Sequence, residues 1–536
     1  MKKYALVSVW DKTGVVPFTK TLVENGYSIL STGGTAKLLA QEGIEVTSVS
    51  EYTGHPEIMD GRVKTLNPKI HAGLLCRRDN ENDMKQLEET GAGPIDFVVV
   101  NLYPFLDKVR EVEAAKNPEH DSIIEFIDIG GPTMLRASAK NCYHVAPVCD
   151  TADYDVIAEE LKQNGSVSLD TRRSLAAKVF KTMSAYDGAI ARYFSLGEKL
   201  LEESGEPKQL APVESIVLER EMGLRYGENP HQDGALYRKV QVGNVQEETP
   251  WEQLQGKELS YNNLLDMQGT LSLYLELEKG NQGKDVAAII KHSNPCGAAV
   301  RDSNLEAFKI ARDCDAISAF GGIVAISGTV DEELVQTMQE GFLEVVLAEN
   351  YTDSAIEAFK KKKNVRVLKC SFDELRRRNT VDPIGVRNFC GDYLLQTSDE
   401  NLAEVTEGNI PTERKPTTEQ LQNASFAWQV CKHVKSNTIV IANEMKAIGV
   451  GAGQMSRVDA AKVAIQRAKL HGHSLEGAVA ASDAFLPFSD TLEVLKDAGV
   501  ELLVQPGGSI KDEDVIKAAN DWNVCMVFTG ERHFRH

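Results

Sequence analysis

The chain has 536 residues, 42% of them hydrophobic and 26% charged, with a formal net charge of −20. That length exceeds a single core and suits between about three and four domain-sized units, and the composition is that of a globular protein rather than a disordered one. The acidic balance argues against nucleic acid or an acidic membrane as partner, because the summed field repels both; the basic runs at 360–363 and 376–378 are short solvated stretches.

Nine cysteines, an odd number scattered from Cys76 to Cys525 with no close pairs and no zinc spacing, read as reduced thiols in a cytoplasmic setting. The apolar stretch near the N-terminus, residues 4–10, is too short for a signal-peptide core, and no run of about 18 apolar residues marks a membrane span.

From residue 4 onward, short apolar runs alternate with amphipathic stretches: strands at 4–9, 27–31, 97–101 and 144–148, helices at 15–25 and 35–41. This alternation predicts a mostly parallel sheet with helices on its faces. A long helix over 171–194 closes the region, with Leu175, Val179, Met183, Ile190 and Phe194 near helical spacing.

Within this region the strand at 27–31 empties into Thr32-Gly33-Gly34-Thr35. Glycines admit close backbone approach, hydroxyls donate, and a helix N-terminus offers free N–H groups, which together make a phosphate cradle. The first strand ends similarly, in Ser8-Val9-Trp10-Asp11-Lys12, and Arg62 and Lys64 add two cations at the same-side spacing of an extended segment, followed by Thr65. Proton-handling candidates follow: Tyr103 in Asn101-Leu-Tyr-Pro at a strand end, Asp128 before a helix, and Lys140 within that helix. A carboxylate at a helix N-terminus tends to have its charged form favoured, and Lys140 needs the fold to bring it back to Asp128. Taken singly, the Gly-Gly-Thr turn is more often an ordinary helix start, and Asp128 serves equally well as an N-cap.

Residues 198–215, rich in charge with Gly205, Pro207 and Pro212, read as a linker between a domain at 1–197 and one at 216–536. The second region alternates again, with strands at 286–291, 322–326, 345–348, 365–368, 438–442, 447–451, 501–504 and 524–528 and helices at 261–277, 304–313, 417–433 and 458–470. It is long enough for two similar α/β lobes, although no crisp sequence repeat is visible.

Its strongest lead is Lys291-His292, delivered by the apolar run Val286-Ala-Ala-Ile-Ile into Ser293-Asn-Pro-Cys-Gly297. Neighbouring strand residues face opposite ways, so the two share a site only where the strand ends and the backbone twists, and Pro295 and Gly297 are expected to make that twist. Arg225-Tyr226 in a turn-rich loop offers an anion partner and an aromatic ring; Phe320-Gly321 offers another ring beside flexible backbone; Asn437 and Arg457 add an amide and a guanidinium at a helix start.

The segments SVWDKTG, STGGTAKLL, GRVKTLNPKIHAGLL, NLYPF, DIGGPTMLRASAKN, LRYGENPHQ, KHSNPCGAAV, SAFGG, GVGAGQMSR and SDAFLPF, in this order over essentially the whole chain, resemble the family of bifunctional purine biosynthesis enzymes that join an IMP cyclohydrolase to an AICAR transformylase. The resemblance implies a methylglyoxal-synthase-like N-terminal domain and two cytidine-deaminase-like lobes after it. It further implies a homodimer, formyl transfer from 10-formyltetrahydrofolate to AICAR, and closure of formyl-AICAR to IMP. No metal or redox cofactor is expected.

By the same resemblance, His292 takes the amine proton and Lys291 assists the folate nitrogen or the oxyanion. Arg225, Tyr226, Phe320, Asn437, Arg457, Phe485 and Arg532 surround the nucleotide and the reacting groups. Lys140, Asp128 and Tyr103 then serve ring closure, with Ser8, Lys12, Ser31, Thr32, Gly33, Gly34, Thr35, Arg62, Lys64 and Thr65 around the phosphate and ribose.

Trp10 departs from the small hydroxyl residue common at its place, which leaves Ser8 and Lys12 to carry more of the cradle. Cys296 reads as packing rather than as a nucleophile, and residues 400–418 carry none of the segments on which the resemblance rests. A zinc deaminase reading, from His55-Pro-Glu57 and Pro295-Cys296, fails because the residue three after Cys296 is Ala299. A non-catalytic nucleotide sensor has no use for Asp128, Lys140, Lys291 and His292 together.

Overall fold

The computed structural model describes residues 2–113, 115, 121–196, 210–240, 249–381 and 384–536. Most of the expected linker, residues 198–209, lies outside the described residues. The chain divides into two compact units, one of Met1–Glu219 with Tyr237–Glu247, the other of Arg220–Leu236 with Glu248–His536.

In the first unit β1 (Tyr4–Val7), β2 (Ser28–Ser31), β3 (Val46–Ser48), β4 (Ile95–Val99) and β5 (Ala146–Val148) form one parallel sheet in the order β3-β2-β1-β4-β5. Buried on both faces, the strands read as continuous apolar runs. One face packs Val7, Phe97 and Val148 against Phe18 and Leu22; the other packs Leu6, Leu30 and Val98 against Met134 and Val179. The helices that supply these partners are α1 (Val15–Glu24), α2 (Gly33–Gln41), α3 (Gly130–Lys140) and α4 (Leu169–Leu196).

Parallel strands bring their C-terminal ends to one edge, so Ser8, Thr32 and Asn101 emerge together there. The second helix begins at Gly33, two residues earlier than its sequence pattern suggests. Thr32 is still extended and Gly33 takes φ 47, a left-handed turn that glycine makes at little cost.

The second unit is built on a single eleven-stranded sheet. Its elements include β6 (Trp251–Gln255), α5 (Tyr261–Gly280), β7 (Asp285–Lys291), β8 (Asn294–Arg301), α6 (Asn304–Cys314), α7 (Ala316–Ala319), β9 (Gly322–Ile326), β10 (Leu343–Ala348) and β11 (Arg366–Cys370). They continue with α8 (Thr418–Lys432), β12 (Ile439–Asn443), β13 (Lys446–Gly451), α9 (Arg457–Leu470), β14 (Val479–Ser482), β15 (Leu502–Gln505) and β16 (Cys525–Phe528). The sheet order is β16-β15-β14-β12-β13-β8-β7-β9-β10-β11-β6.

This order is a duplication. In each half a hairpin (β7-β8 or β12-β13) pairs antiparallel with a third strand (β9 or β14), followed by two parallel strands. The halves meet where β8 pairs β13, at Ala299 and Lys446. The helices α5 and α8 bury one face of the whole sheet in a core containing Val286, Ile290, Tyr274, Trp428, Val440 and Val504. The two expected lobes are therefore real.

Their likeness extends to single atoms. Each hairpin turns through two residues of positive φ, His292 and Ser293 at 51° and 60°, Glu444 and Met445 at 49° and 51°. In each, the sixth residue of the preceding helix accepts a turn N–H: Asp266 Oδ1 from Ser293 at 2.7 Å, Asn423 Oδ1 from Met445 at 2.7 Å. In each, a glycine four residues past the turn lies under the next helix, where a Cβ on Gly297 would stand 1.9 Å from the Ala311 carbonyl and one on Gly449 2.4 Å from that of Ala464.

The expected break at Ser293 to Gly297 is corrected here. The turn is His292-Ser293 alone, and Pro295, Cys296 and Gly297 lie within β8, where the pairing register shifts between Pro295 and Gly297. Two non-glycine residues at positive φ carry strain, and the Asp266 carboxylate offsets it by accepting both turn N–H groups, at 3.1 Å from His292 and 2.7 Å from Ser293.

Candidate functional site

In the second unit Lys291 and His292 line one cleft of about 470 Å³. Its walls come from both lobes: Pro295, Cys296, Asp315, Ile317 and Ser318 from the first, and Ala447, Gly449, Ala452 and Arg467 from the second. The strand ends at Lys291 and the left-handed turn begins at His292, which is how neighbouring residues come to share one cavity.

The Lys291 ammonium donates to the Phe320 carbonyl at 2.7 Å, and Gly321, at φ 78, lies just behind it, where an added Cβ would sit 3.8 Å from Lys291 Nζ. Asp315 caps α7, accepting the Ser318 N–H at 2.9 Å, and Arg467 reaches from α9 to both the Asp315 carboxylate and the Ser318 hydroxyl. Burial pushes the Cys296 thiol up to about 12, so it stays protonated as a packing group.

Asn294 connects this hairpin to the second lobe: its amide donates to the His292 carbonyl at 3.1 Å, and its side-chain oxygen accepts the Lys435 N–H at 3.1 Å. Two residues on, Asn437 accepts from Arg457 at 2.9 Å, and Arg457 also pairs with the fully buried Asp483 at 3.0 Å. The C-terminal tail closes over the same place, since Ser436 N–H donates to the Arg535 carbonyl and His533 N–H to that of Asp483. Asn437, Arg457, Phe485 and Arg532 thus belong to one neighbourhood. Phe485 is 37% exposed and the Arg532 guanidinium lies 4.7 Å over the Phe534 ring. Arg225 and Tyr226 stand on a separate loop, the guanidinium 4.7 Å over its neighbour's ring and donating to its hydroxyl at 2.9 Å.

Sequence reasoning missed Asp266, Asp315, Arg467 and the buried set beneath the second lobe. There Glu276 of α5 accepts from Lys432 at 2.8 Å and lies 3.7 Å from His433. Asp483 alone carried a signal, inside the SDAFLPF segment.

In the first unit the cradle is internally tied. Ser8 Oγ and Thr32 Oγ1 are 2.8 Å apart, and Lys12 donates to Thr35 at 2.9 Å and to the Val9 carbonyl. Two of the expected phosphate hydroxyls are spent on the backbone: buried Ser31 donates to the Val7 carbonyl at 2.6 Å and buried Thr35 to that of Val9 at 3.0 Å. The groups left facing outward are Ser8, Thr32 and the exposed backbone of Gly33 and Gly34.

Arg62 and Lys64 are not on an extended segment. They sit in a run of turns, where residues two apart share no side; Arg62 pairs with Glu125, and Lys64 with Glu57 at 2.8 Å. Thr65 is buried under the start of α3, its hydroxyl 2.6 Å from where a Gly130 Cβ would stand.

Asp128 precedes α3 and accepts the Gly131 N–H at 2.8 Å, while its own N–H donates to the Tyr186 hydroxyl at 2.9 Å. Burial pushes its carboxyl above the usual range despite that N–H, opposite to the expectation from the helix terminus. Burial and the Asp128 charge raise the Tyr103 phenol, and its ring lies 6.3 Å from that of Phe126, two residues before Asp128. Lys140 is not brought to them. It is the last residue of α3, exposed, and a helix of this length puts it roughly 15 Å from Asp128, towards the opposite edge of the sheet.

Among the described residues no group of three or more His, Cys, Asp and Glu side chains could hold a metal ion, and no helix is long and apolar enough to cross a membrane. His55 and Cys296 fall in different units.

The family model described as the AICARFT/IMPCHase bienzyme matches residues 138–467, and the MGS-like domain model matches residues 14–133. The chain is 47% identical to the bifunctional purine biosynthesis protein PurH of Anoxybacillus flavithermus and 46% identical to that of Bacillus cereus strain B4264, each over the full length of both proteins. A solved structure titled "Crystal structure of ForH" covers 36% of this chain and 98% of its own at 34% identity, with a TM-score of 0.32. Family models on both units and full-length relatives near half identity agree: the chain belongs to the AICARFT/IMPCHase bienzyme family and is a bifunctional enzyme of purine biosynthesis, an AICAR formyltransferase and IMP cyclohydrolase.

Proposed function

We propose that the two activities are divided between the two units, formyl transfer in the second and ring closure in the first. The donor is 10-formyltetrahydrofolate. The AICAR amine attacks the formyl carbon, a C–N bond forms, and the bond from that carbon to the folate nitrogen breaks. His292 takes the proton the amine loses, and the Lys291 ammonium stabilises the oxyanion or protonates the departing nitrogen. The amine is a poor nucleophile, conjugated with its ring and carboxamide, so a base at the point of attack matters most. Arg225, Tyr226, Phe320, Gly321, Asn437, Arg457, Phe485 and Arg532 are the residues we assign to nucleotide and folate.

In the first unit the carboxamide nitrogen of formyl-AICAR attacks the formyl carbon and water is lost. Asp128, whose carboxyl burial raises, and Tyr103 move protons, while Ser8, Lys12 and the Thr32–Thr35 turn take the phosphate. Arg62 and Lys64 join them by exchanging their carboxylate partners for ligand. Within one chain α3 separates Lys140 from Asp128, so its share in ring closure requires a second copy of the chain, in the homodimer we infer. Neither step calls on a metal or a redox group. We place the enzyme in the cytoplasm, a setting supported by nine free cysteines.

The observation that carries the reading is the shared cleft of Lys291 and His292, whose walls leave room for a second reactant. A coupled assay tests it: AICAR and 10-formyltetrahydrofolate are supplied and tetrahydrofolate and IMP scored. His292→Ala abolishes the first product while ring closure of supplied formyl-AICAR continues. Loss of both activities in a folded variant rejects the division.

A further inference from the structure

Beside the phosphate cradle stands one large aromatic side chain that the chemistry above leaves unused. Trp10 lies in sequence between Ser8 and Lys12, whose polar ends turn to Thr32 and Thr35. Its backbone is pinned to the end of β4: Asn101 Oδ1 accepts the N–H groups of Trp10 at 2.6 Å and Asp11 at 3.0 Å.

The indole meets Tyr103 at 5.1 Å and Phe126 at 5.7 Å between ring centroids, tilted at 57° and 68°. Tyr103 and Phe126 also meet each other, at 6.3 Å, and Phe126 stands two residues before Asp128. A ring fixed on these two sides is nevertheless 48% exposed. An apolar surface of that size, rigidly held at the mouth of a polar cradle, is stabilised when a flat partner covers it.

Resting on the reading of the first unit as a nucleotide site, we propose that Trp10 is the stacking surface for the planar heterocycle of the bound nucleotide. It is a specificity-determining residue that favours base-bearing phosphates over bare sugar phosphates. The cradle holds the phosphate, the indole covers one face of the ring, and the atoms that close are thereby directed towards Asp128 and Tyr103.

The test uses the full chain with Trp10→Ser, Trp10→Phe and Lys12→Ala. Ring-closure kinetics give the KM for formyl-AICAR and the inhibition constants of IMP and ribose 5-phosphate, and formyl transfer reports on folding. Trp10→Ser raises the formyl-AICAR KM and weakens IMP by about tenfold, Trp10→Phe stays within about threefold, and ribose 5-phosphate binds all Trp10 forms alike. Equal weakening of ribose 5-phosphate by Trp10→Ser, or no weakening of IMP, overturns the proposal. If Lys12→Ala leaves all three ligands unaffected, the nucleotide-site reading fails with it; if Lys12→Ala weakens all three and Trp10→Ser none, the stacking role alone is rejected.

Discussion

Lys291 Nζ donates to the Phe320 carbonyl at 2.7 Å, and the short helix before Phe320 is tied to Arg467 of the other lobe. Arg467 ties Asp315, the N-cap of the short helix α7, and Ser318 within it, and Phe320 is the residue that ends that helix.

Lys291→Met is expected to reduce formyl transfer at least a hundredfold, the scale of a lost transition-state stabiliser. Arg467→Met reduces kcat about tenfold through misplacement of Lys291, with ring closure unchanged. Steady-state assays of both activities check this, and an Arg467→Met enzyme with wild-type formyl transfer removes Arg467 from the argument.

Asp128 and Lys140 provide a test of assembly. If they serve one ring-closing site from two chains, Asp128→Asn and Lys140→Ala are each inactive alone. Mixed and allowed to exchange subunits, they recover about a quarter of wild-type sites, because half the dimers are mixed and each carries one intact site. No recovery from the mixture places both residues on one chain's site, and full activity of Lys140→Ala alone excludes that lysine.

Glu276 sets an acid limit on the second unit. Burial works against its charge, but His433 and Lys432 beside it hold its carboxyl down at about 2, from an ordinary 4.5. A depressed carboxyl contributes its full stability above pH 4.5 and loses it as pH falls from there towards 2. His433 is buried too, and burial lowers its pKa below the ordinary 6.5, so its share begins to fade below that value. Urea unfolding of the second unit at a series of pH values is expected to show this decline. Glu276→Gln removes it and costs about 3–5 kcal/mol at neutral pH, since Lys432 is left buried without its partner. A variant as stable as wild type at pH 7 contradicts the assignment.

Gly297→Ala and Gly451→Ala each drive a methyl into a helix carbonyl 1.9 Å away, where no side chain can yield. Each is expected to destabilise by roughly 1–3 kcal/mol or more, as overpacking does, visible as a lower Tm. A control at Gly477, where nothing lies within 4 Å but φ is 75, shows only the smaller cost of a left-handed alanine.

The sheet of each unit was legible because strands buried on both faces must be apolar throughout, as in Val286 to Ile290. Lys291 and His292 stood out at the end of such a run. The turn that unites them was not legible: His-Ser carries none of the Asn-Gly signature of such hairpins, and its support, Asp266, comes from a helix 26 residues earlier. The duplication was hidden for the same reason, since Asp266 and Asn423 do one job with different chemistry. The Arg62 and Lys64 pattern misled because charge spacing does not reveal whether a segment is extended, and Lys140 because a motif printed in one line bends into a helix with two distant ends.

The eleven strands share one hydrogen-bonded surface, and the core beneath it crosses the boundary between lobes without a gap. Such a platform cannot hinge, so the space between Lys291 and Arg467 behaves as a fixed mould. On the reading of this cleft as the formyl-transfer site, reactants enter and leave over its rim, where Ile317 is 65% exposed, without any closure of halves.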